Sequence, residues 1–484
     1  MSEISKLEPK GLWQNFDMFC ANPRPSKHEE KIRKAVVEFA KQHNVDCKTD
    51  EIGNIILSKP ATKGMENRKG IILQAHIDMV PQKNNDVKHD FVNDPIQPWI
   101  DGEWVRAKGT TLGADNGIGA SAALAVLVDD TIEHGPLEAL LTIDEETGMT
   151  GAFNLKPNVL KGDILLNLDS ETEGELYVGC AGGVDATITL NYGKEAVKAG
   201  YTCYVLEVKG LKGGHSGMDI NLQRANANKL LFRILKNLEK YDVRLCSVEG
   251  GNMRNAIPRE AKATIAMPTD KVAEVKKTID CLSETMHKEF SEVEDNFDVL
   301  FAPTSNVPEM MKECCSKRLI NCVYALPNGV YRMSDSMKGL VETSSNLAIV
   351  KTTGENMEMC CLLRSSVDTQ KEDLCVIMQS VVDLAEGKIE FSGAYSGWKP
   401  NMSSAILKEM KEQYEKLFNQ QAKVMAIHAG LECGILGGTY PNLDMISFGP
   451  TIEHPHSPDE RVNIASVEKF WKFLLGSLKN APIK

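Results

Sequence analysis

The sequence predicts an α/β protein: a mixed, mostly parallel sheet sandwiched by helices, with an α+β unit inserted into it. Three observations predict this. In the N-terminal third, near-continuous apolar runs alternate with helical segments, as parallel strands buried on both faces do. From about Gly200 the pattern becomes that of an antiparallel α+β layer. After "GWKPN" the first style resumes, so the middle segment reads as an insertion. The expected division is 1–188 with 398–484 as a discontinuous outer domain, and 189–397 as the inserted one.

Each element has its own reason. In "PSKHEEKIRKAVVEFAKQ", Ser26 and Glu29 have capping-box spacing before apolar residues at helical intervals. "GIILQA" (70–75) is a short β-rich run. "GIGASAALAVLVDD" is apolar all round, as a buried helix is. "LEALLTI" and "GDILLNL" are further buried strands. In the insertion, "YTCYVLEVKG", "VRLCSVEGG" and "NAIPREAKATIAMP" read as strands, with helices at "ANANKLLFRILKNLEKY" and "TDKVAEVKKTIDCLSETM". From about Lys317 a similar set returns and ends in "MEMCCLLRSSVD", a helix and "IEFSGAYSG", which suggests two copies of one motif. The closing part offers an amphipathic helix, "SSAILKEMKEQYEKLFNQ", then "KVMAIHAG" and "LDMISFGP".

Bulk properties narrow the function. The chain has 484 residues, 42% hydrophobic and 25% charged, ordinary for a globular protein. A net charge of -12 argues against a nucleic-acid backbone as partner. No apolar run approaches the ~18 residues of a membrane span, and "MSEISKLEPKGLW" has no secretory h-region. Thirteen cysteines with scattered spacing read as reduced, mostly buried thiols of a cytoplasmic protein.

Five short segments of the outer domain put potential metal ligands beyond strand ends or before a helix. "LTIDEETG" ends a buried strand in Asp144, Glu145 and Glu146. "LQAHIDMV" carries His76 and Asp78, two apart on an extended segment and so facing one way. Asp78 can then orient the imidazole, as carboxylates beside metal-bound histidines do. "TTLGADNGIGA" sets Asp115 in a Gly-rich turn at a helix start, "NLDSETEG" carries Asp169, and "EHPHSPDE" carries His454 and His456. Singly, each has a plainer reading: an acidic loop, a structural histidine, a helix cap, an Asx turn, a polar loop. Phosphate binding at "GTTLGADNG" is disfavoured by the missing G-K-[ST] and by the central carboxylate. Together the segments place imidazoles and carboxylates where α/β sheets collect ligands, a set suited to two divalent ions, zinc first, cobalt or manganese next.

The motifs "HIDMV", "GTTLGADNGIG", "DEETGMTG", "NLDSE", "GLKGGHSGMDI", "GGNMRNAIPREA", "LLRSS", "HAGLECG" and "PHSPDERV" resemble, in order, those of the cytosolic aminoacyl-histidine dipeptidases, also called Xaa-His dipeptidases or peptidase D. These belong to the di-zinc aminoacylase and carboxypeptidase superfamily, and the match spans about Pro23 to Val462. The resemblance implies one zinc on His76 and Asp169, another on Glu146 and His456, and Asp115 bridging them. It implies that Asp78 clamps His76 and that Glu145 is the general base. His215, on a lid and dimerisation domain, would reach the oxyanion of a neighbouring subunit's site in a homodimer. Asn255 and Arg364 would bind substrate from the lid, Arg364 pairing with its free carboxylate, and Gly430 would lie beside it. A cis Asp115–Asn116 peptide bond is a further implication.

The chemistry suits these residue types. Two close divalent ions share and acidify a water while a free carboxylate carries its proton to the leaving amine. On an extended segment adjacent residues point to opposite sides, so Glu145 and Glu146 can take different tasks. The expected activity is hydrolysis of unblocked dipeptides, Xaa-His among them. An N-acyl-amino-acid amidohydrolase or a tripeptide aminopeptidase could share the metal centre. A non-catalytic homologue is disfavoured by the intact Glu145.

Overall fold

The apolar runs become strands where β-rich residues are bounded by turns, and their order sets the site. The computed structural model describes residues 2–305 and 307–484, and its contacts divide the chain into two compact units. The first comprises the segment up to Cys180, Trp398–Ala426 and Leu431–Lys484; the second comprises Ala181–Gly397 and Ile427–Gly430.

The first unit is built on an eight-stranded sheet. Its order is Asp46–Thr49, Ile55–Lys59, Leu137–Thr142, Ile71–His76, Ile164–Asn167, Asp444–Ser447, Glu175–Cys180 and Lys423–Ile427. The central strands Leu137–Thr142, Ile71–His76, Ile164–Asn167 and Asp444–Ser447 are parallel, with antiparallel strands flanking them. The first three are buried along their whole length. The all-apolar helix, Ala114–Val128, is buried almost throughout, as its lack of a polar face requires. All the parallel strands point their C-terminal ends the same way, so the loops that follow them gather at one sheet edge.

The second unit is an antiparallel sheet covered by helices. Its main path is Asp298–Thr304, Tyr201–Lys209, Ala261–Pro268, Arg244–Gly250, Val341–Thr353, Asn356–Ser365, Gly182–Asn191 and Lys388–Tyr395. Two β-α-β-β-α-β modules account for this order. One runs from Tyr201 to Thr304 with helices Ala227–Leu238 and Val272–Glu289. The other takes Gly182–Asn191 as its first strand and continues through Glu313–Ala325, Val341–Thr353, Asn356–Ser365, Asp368–Leu384 and Lys388–Tyr395. Each module has the spatial order 4-1-3-2. They meet through their second strands, where Glu249 and Gly250 face Lys351 and Val350. Leu231, Leu235, Val275, Ile279, Leu319, Val323, Leu374 and Met378 share one core.

The division between units falls at Cys180/Ala181, not at 188. The reason is that Gly182–Asn191 is hydrogen-bonded along its length to Asn356–Ser365 and also pairs with Lys388–Tyr395. It is the first strand of the second module, separated from its partners by the whole of the first. No disulfide is present among the described residues, and eight of the thirteen cysteines are buried.

Candidate active site

His76 is the last residue of its strand, Asp169 lies two past the strand Ile164–Asn167, and Glu145 follows Leu137–Thr142 after a short turn. The parallel sheet thus delivers all three to one edge. Asp115 arrives from the turn before the buried helix, whose first residues depart from helical geometry, and the Asp115–Asn116 peptide bond is cis. His456 comes from the loop before Arg461–Asn463 and holds a left-handed backbone, φ 60°. Such a conformation in a non-glycine residue is uncommon and concentrates at functional sites.

These residues form two triads that share Asp115: His76, Asp115 and Asp169, and Asp115, Glu146 and His456. Oδ1 of Asp115 is 3.2 Å from His76 Nε2, and Oδ2 is 3.2 Å from His456 Nε2. Asp169 Oδ1 reaches the same His76 nitrogen at 3.3 Å, and Glu146 Oε2 reaches that of His456 at 3.0 Å. One ring nitrogen cannot satisfy two carboxylates, whereas a divalent cation among three donors can. Glu146 Oε1 and Asp169 Oδ1 are also buried without a hydrogen-bond partner, Asp169 lying off the line of a bond to His76. The donor set therefore fits a pair of divalent ions. His454, by contrast, belongs to neither triad.

The electrostatics follow from this crowding. Burial works to lower the His76 pKa, yet Asp169, Asp115 and Asp78 carry it well above the imidazole range. Hydrogen bonds to Asp115 and Glu146 push His456 up to about 11. Burial raises Asp169 to about 7, with Asp115 and Glu146 adding to it against His76. Burial would raise Asp115 as well, but the two imidazoles hold it below the usual carboxylate range. Burial also lifts Glu145 well above that range, and neighbouring carboxylates add to it.

Asp78 sits behind His76, Oδ1 at 3.2 Å from Nδ1. It also accepts the backbone N–H of Glu145 (3.1 Å) and of Glu146 (3.2 Å), so one carboxylate ties the histidine to the glutamate turn. Ser26 donates its hydroxyl to Asp78 at 2.8 Å. The capping box expected of Ser26 and Glu29 is accordingly absent. The helix runs Glu30–Gln42, and Glu29 accepts from the Lys27 and Asp144 amides. The glutamate pair also differs from expectation. Glu145 and Glu146 open a one-turn helix, Glu145–Gly148, after a left-handed Asp144, so they are not on opposite sides of an extended segment. A carboxylate oxygen of each still lies within 4.8 Å of a His76 ring nitrogen, so these three also form a group able to hold an ion.

Three residues of this site escaped the sequence reading. Buried Glu460, in the quoted "HSPDE", accepts the backbone N–H groups of Leu112, Gly113, Ala114 and Asp115 and so fixes the turn that aims Asp115. Arg24 donates to the carbonyls of Ile77, Asp78 and Gly113. Gly113 has φ 71°, and a Cβ there would lie 2.5 Å from the Arg24 guanidinium, so only glycine fits. Glu432, in "HAGLECG", is buried below the ligands and bonds to Gln74 and Thr142.

The other expected residues lie in the second unit, and the structure brings them together there. Nδ1 of His215 accepts from the Gly217 and Met218 amides (3.2 and 3.0 Å), which leaves the proton on Nε2. Burial, then the Arg364 charge, lowers its pKa. Gly214–His215 pairs with Ala256–Ile257, and the Asn255 carbonyl accepts from Ser216, so Asn255 is beside His215. Arg364 is only 5% exposed and no carboxylate pairs with it among the described residues; its guanidinium donates to the Tyr395 hydroxyl at 3.2 Å. A Cβ on Gly430 would lie 3.2 Å from the Tyr395 ring. His428, two residues earlier, was not anticipated: it bonds Ser344, and burial together with the Arg364 charge lowers it to about 3.

Residues 72–480 match the model of peptidase family M20/M25/M40. The chain is 50% identical over 485 residues to the cytosol non-specific dipeptidase of Escherichia coli (strain K12), covering 100% of both chains. The crystal structure of aminoacylhistidine dipeptidase from Vibrio alginolyticus superposes with a TM-score of 0.97 at 49% identity, covering 100% of this chain and 99% of that one. The aminopeptidase PepT of Bacillus cereus shares the fold, with a TM-score of 0.58 at 15% identity and coverage of 98% and 99%. The chain belongs to peptidase family M20/M25/M40 and is a hydrolase of peptide bonds.

Proposed function

We propose that the protein is a metal-dependent dipeptidase that cleaves unblocked dipeptides, Xaa-His among them. The observation that carries this is the pair of triads joined at Asp115, with Glu145 beside them and outside both. The relatives from E. coli and V. alginolyticus are named a non-specific and an aminoacylhistidine dipeptidase. A broad substrate range that includes Xaa-His accords with both names. His76, Asp169 and Asp115 would hold one ion, and Asp115, Glu146 and His456 the other; zinc suits the mixed imidazole and carboxylate set, with cobalt or manganese as substitutes. Bound there, such ions supply an acidified water and polarise the scissile carbonyl.

The remaining steps belong to the chain. Glu145 takes the proton of the attacking water on its carboxylate, a role its raised affinity for protons suits, and passes it to the leaving amine. Asp78 holds His76 and the glutamate turn in fixed relation. His215, neutral with its proton on Nε2, donates to the developing oxyanion. Arg364, a buried guanidinium that no carboxylate pairs with among the described residues, pairs with the free carboxylate of the substrate, which a dipeptide presents at a fixed distance from the scissile bond. Asn255 and Gly430 complete the substrate-binding set. The second unit acts as a lid, and a cytoplasmic homodimer, as the resemblance implies, belongs to the same proposal.

The test is metal content per chain alongside hydrolysis of Xaa-His dipeptides, other dipeptides, tripeptides and N-acetylated dipeptides. Cleavage confined to unblocked dipeptides is expected. Preferential cleavage of acetylated substrates or of tripeptides would refute the dipeptidase assignment while leaving the metal centre intact.

A further inference from the structure

Directly below the ligands lies a second polar layer. Residues two apart on a strand share a face, so Gln74 lies under His76; Thr142 and Asn167 are the last residues of the two neighbouring strands, two before Asp144 and Asp169. Gln74 is opposite Asn167 in the strand register, and Thr142 is opposite His76. Asn167 donates to Gln74 Oε1, and Gln74 donates to Thr142 at 3.2 Å. Glu432, the first residue of the helix Glu432–Thr439, closes the layer. Its Oε2 accepts from Gln74 at 2.6 Å and from Thr142 at 2.8 Å.

Hydrogen bonding alone does not call for an acid there. Both donors converge on one oxygen, and a glutamine carbonyl could accept the same two bonds. The other oxygen, Oε1, is buried with no partner, and the residue is 1% exposed. An ionised carboxylate so buried is costly unless an opposite charge lies close by. Burial lifts its carboxyl to about 7, and its principal charged neighbours are His76, which opposes that rise, and Asp169, both from one triad, with Glu145 also near. Three ligating carboxylates also fall one short of the four positive charges of two divalent ions.

We propose that Glu432 is a positioning residue for the ion held by His76 and Asp169: through Gln74, and Asn167 beyond it, it locks the two strand ends that lead to those ligands, Thr142 fixes its carboxylate, and its charge helps retain that ion. The inference rests on the two-ion reading above. Groups behind metal ligands typically contribute 10–100-fold in metal affinity, and the effect should fall on one ion only.

Chelator competition with zinc in single-site backgrounds tests this. His456→Ala leaves the His76–Asp169 site, and Asp169→Asn leaves the Glu146–His456 site. Adding Glu432→Gln to the first should weaken zinc binding by about 10–100-fold; adding it to the second should leave affinity unchanged. Thr142→Val, which keeps the acid and deletes one of its anchors, should act in the same direction with smaller size, and it carries the test if Glu432→Gln does not fold. Equal losses at both sites, or no loss at either, overturn the inference. Both would indicate a residue serving only general packing. A wild-type chain that binds fewer than two ions overturns the two-ion reading and this inference with it; two ions in the wild type with no site-selective loss overturns the inference alone.

Discussion

Glu145 and Glu146 are neighbours on one helical turn, yet only Glu146 touches His456, and this difference is testable. Glu145→Gln should retain both ions and lose activity by about 10²–10⁴-fold, the usual contribution of a positioned acid or base. Glu146→Gln should lose metal, with partial recovery in excess zinc. Elemental analysis beside kcat separates them, and equal metal loss in both variants would show the base to be misassigned. The imidazoles lead to a second expectation. With no cation present, carboxylates hold His76 protonated well above its ordinary range and His456 up to about 11. A cation must displace those protons, so zinc affinity should rise with pH by about tenfold or more per unit across neutrality. Calorimetric titration in buffers of different ionisation enthalpy should show net proton release. An affinity flat with pH would contradict it.

At the scale of elements, the turn before Ala114–Val128 depends on one distant carboxylate. Glu460 accepts from consecutive backbone amides of that turn, so Glu460→Ala would strand several buried N–H groups at once. A loss of at least about 4 kcal/mol in denaturant unfolding is expected, at ~1–3 kcal/mol for each of the four groups left without an acceptor. Zinc affinity should fall as well, because Asp115 is released; a variant with native stability and affinity would show that water replaces the carboxylate. Glu460 also marks a limit of the sequence. The motif around it was visible, but a chain cannot show that an acid near its C-terminus caps a helix hundreds of positions earlier. The elements read well where apolar period and turn residues agreed, as at Ile71–His76, Leu137–Thr142 and Ala227–Leu238. They read badly where tertiary partners redirect a side chain. Ser26 has capping-box spacing, yet its hydroxyl is drawn to Asp78. The proposed ligand residues stood out because strand ends carrying His and Asp are chemically conspicuous. Glu432, Arg24 and His428 did not, since their roles exist only through partners remote in sequence.

At the scale of the whole chain, the doubled module changes what can be expected of subunit exchange. The repeat was visible as a pattern that returns from about Lys317, but not that the second copy's first strand, Gly182–Asn191, precedes the entire first copy. In the folded unit, His215 comes from the first module and Arg364 from the second. Their charges are close enough that Arg364 lowers the His215 pKa. A single polypeptide therefore assembles the proposed oxyanion donor and carboxylate anchor on one body, and any catalytic site that receives one should receive the other. His215→Ala and Arg364→Ala chains, each mixed with Glu145→Gln chains under conditions of demonstrated exchange, should then behave alike. If the second unit serves a neighbouring subunit, both mixtures recover part of the activity; if it serves its own chain, neither does. Recovery with one lid variant and not the other would mean that His215 and Arg364 serve different catalytic sites, and the proposal that they act as one body would fall.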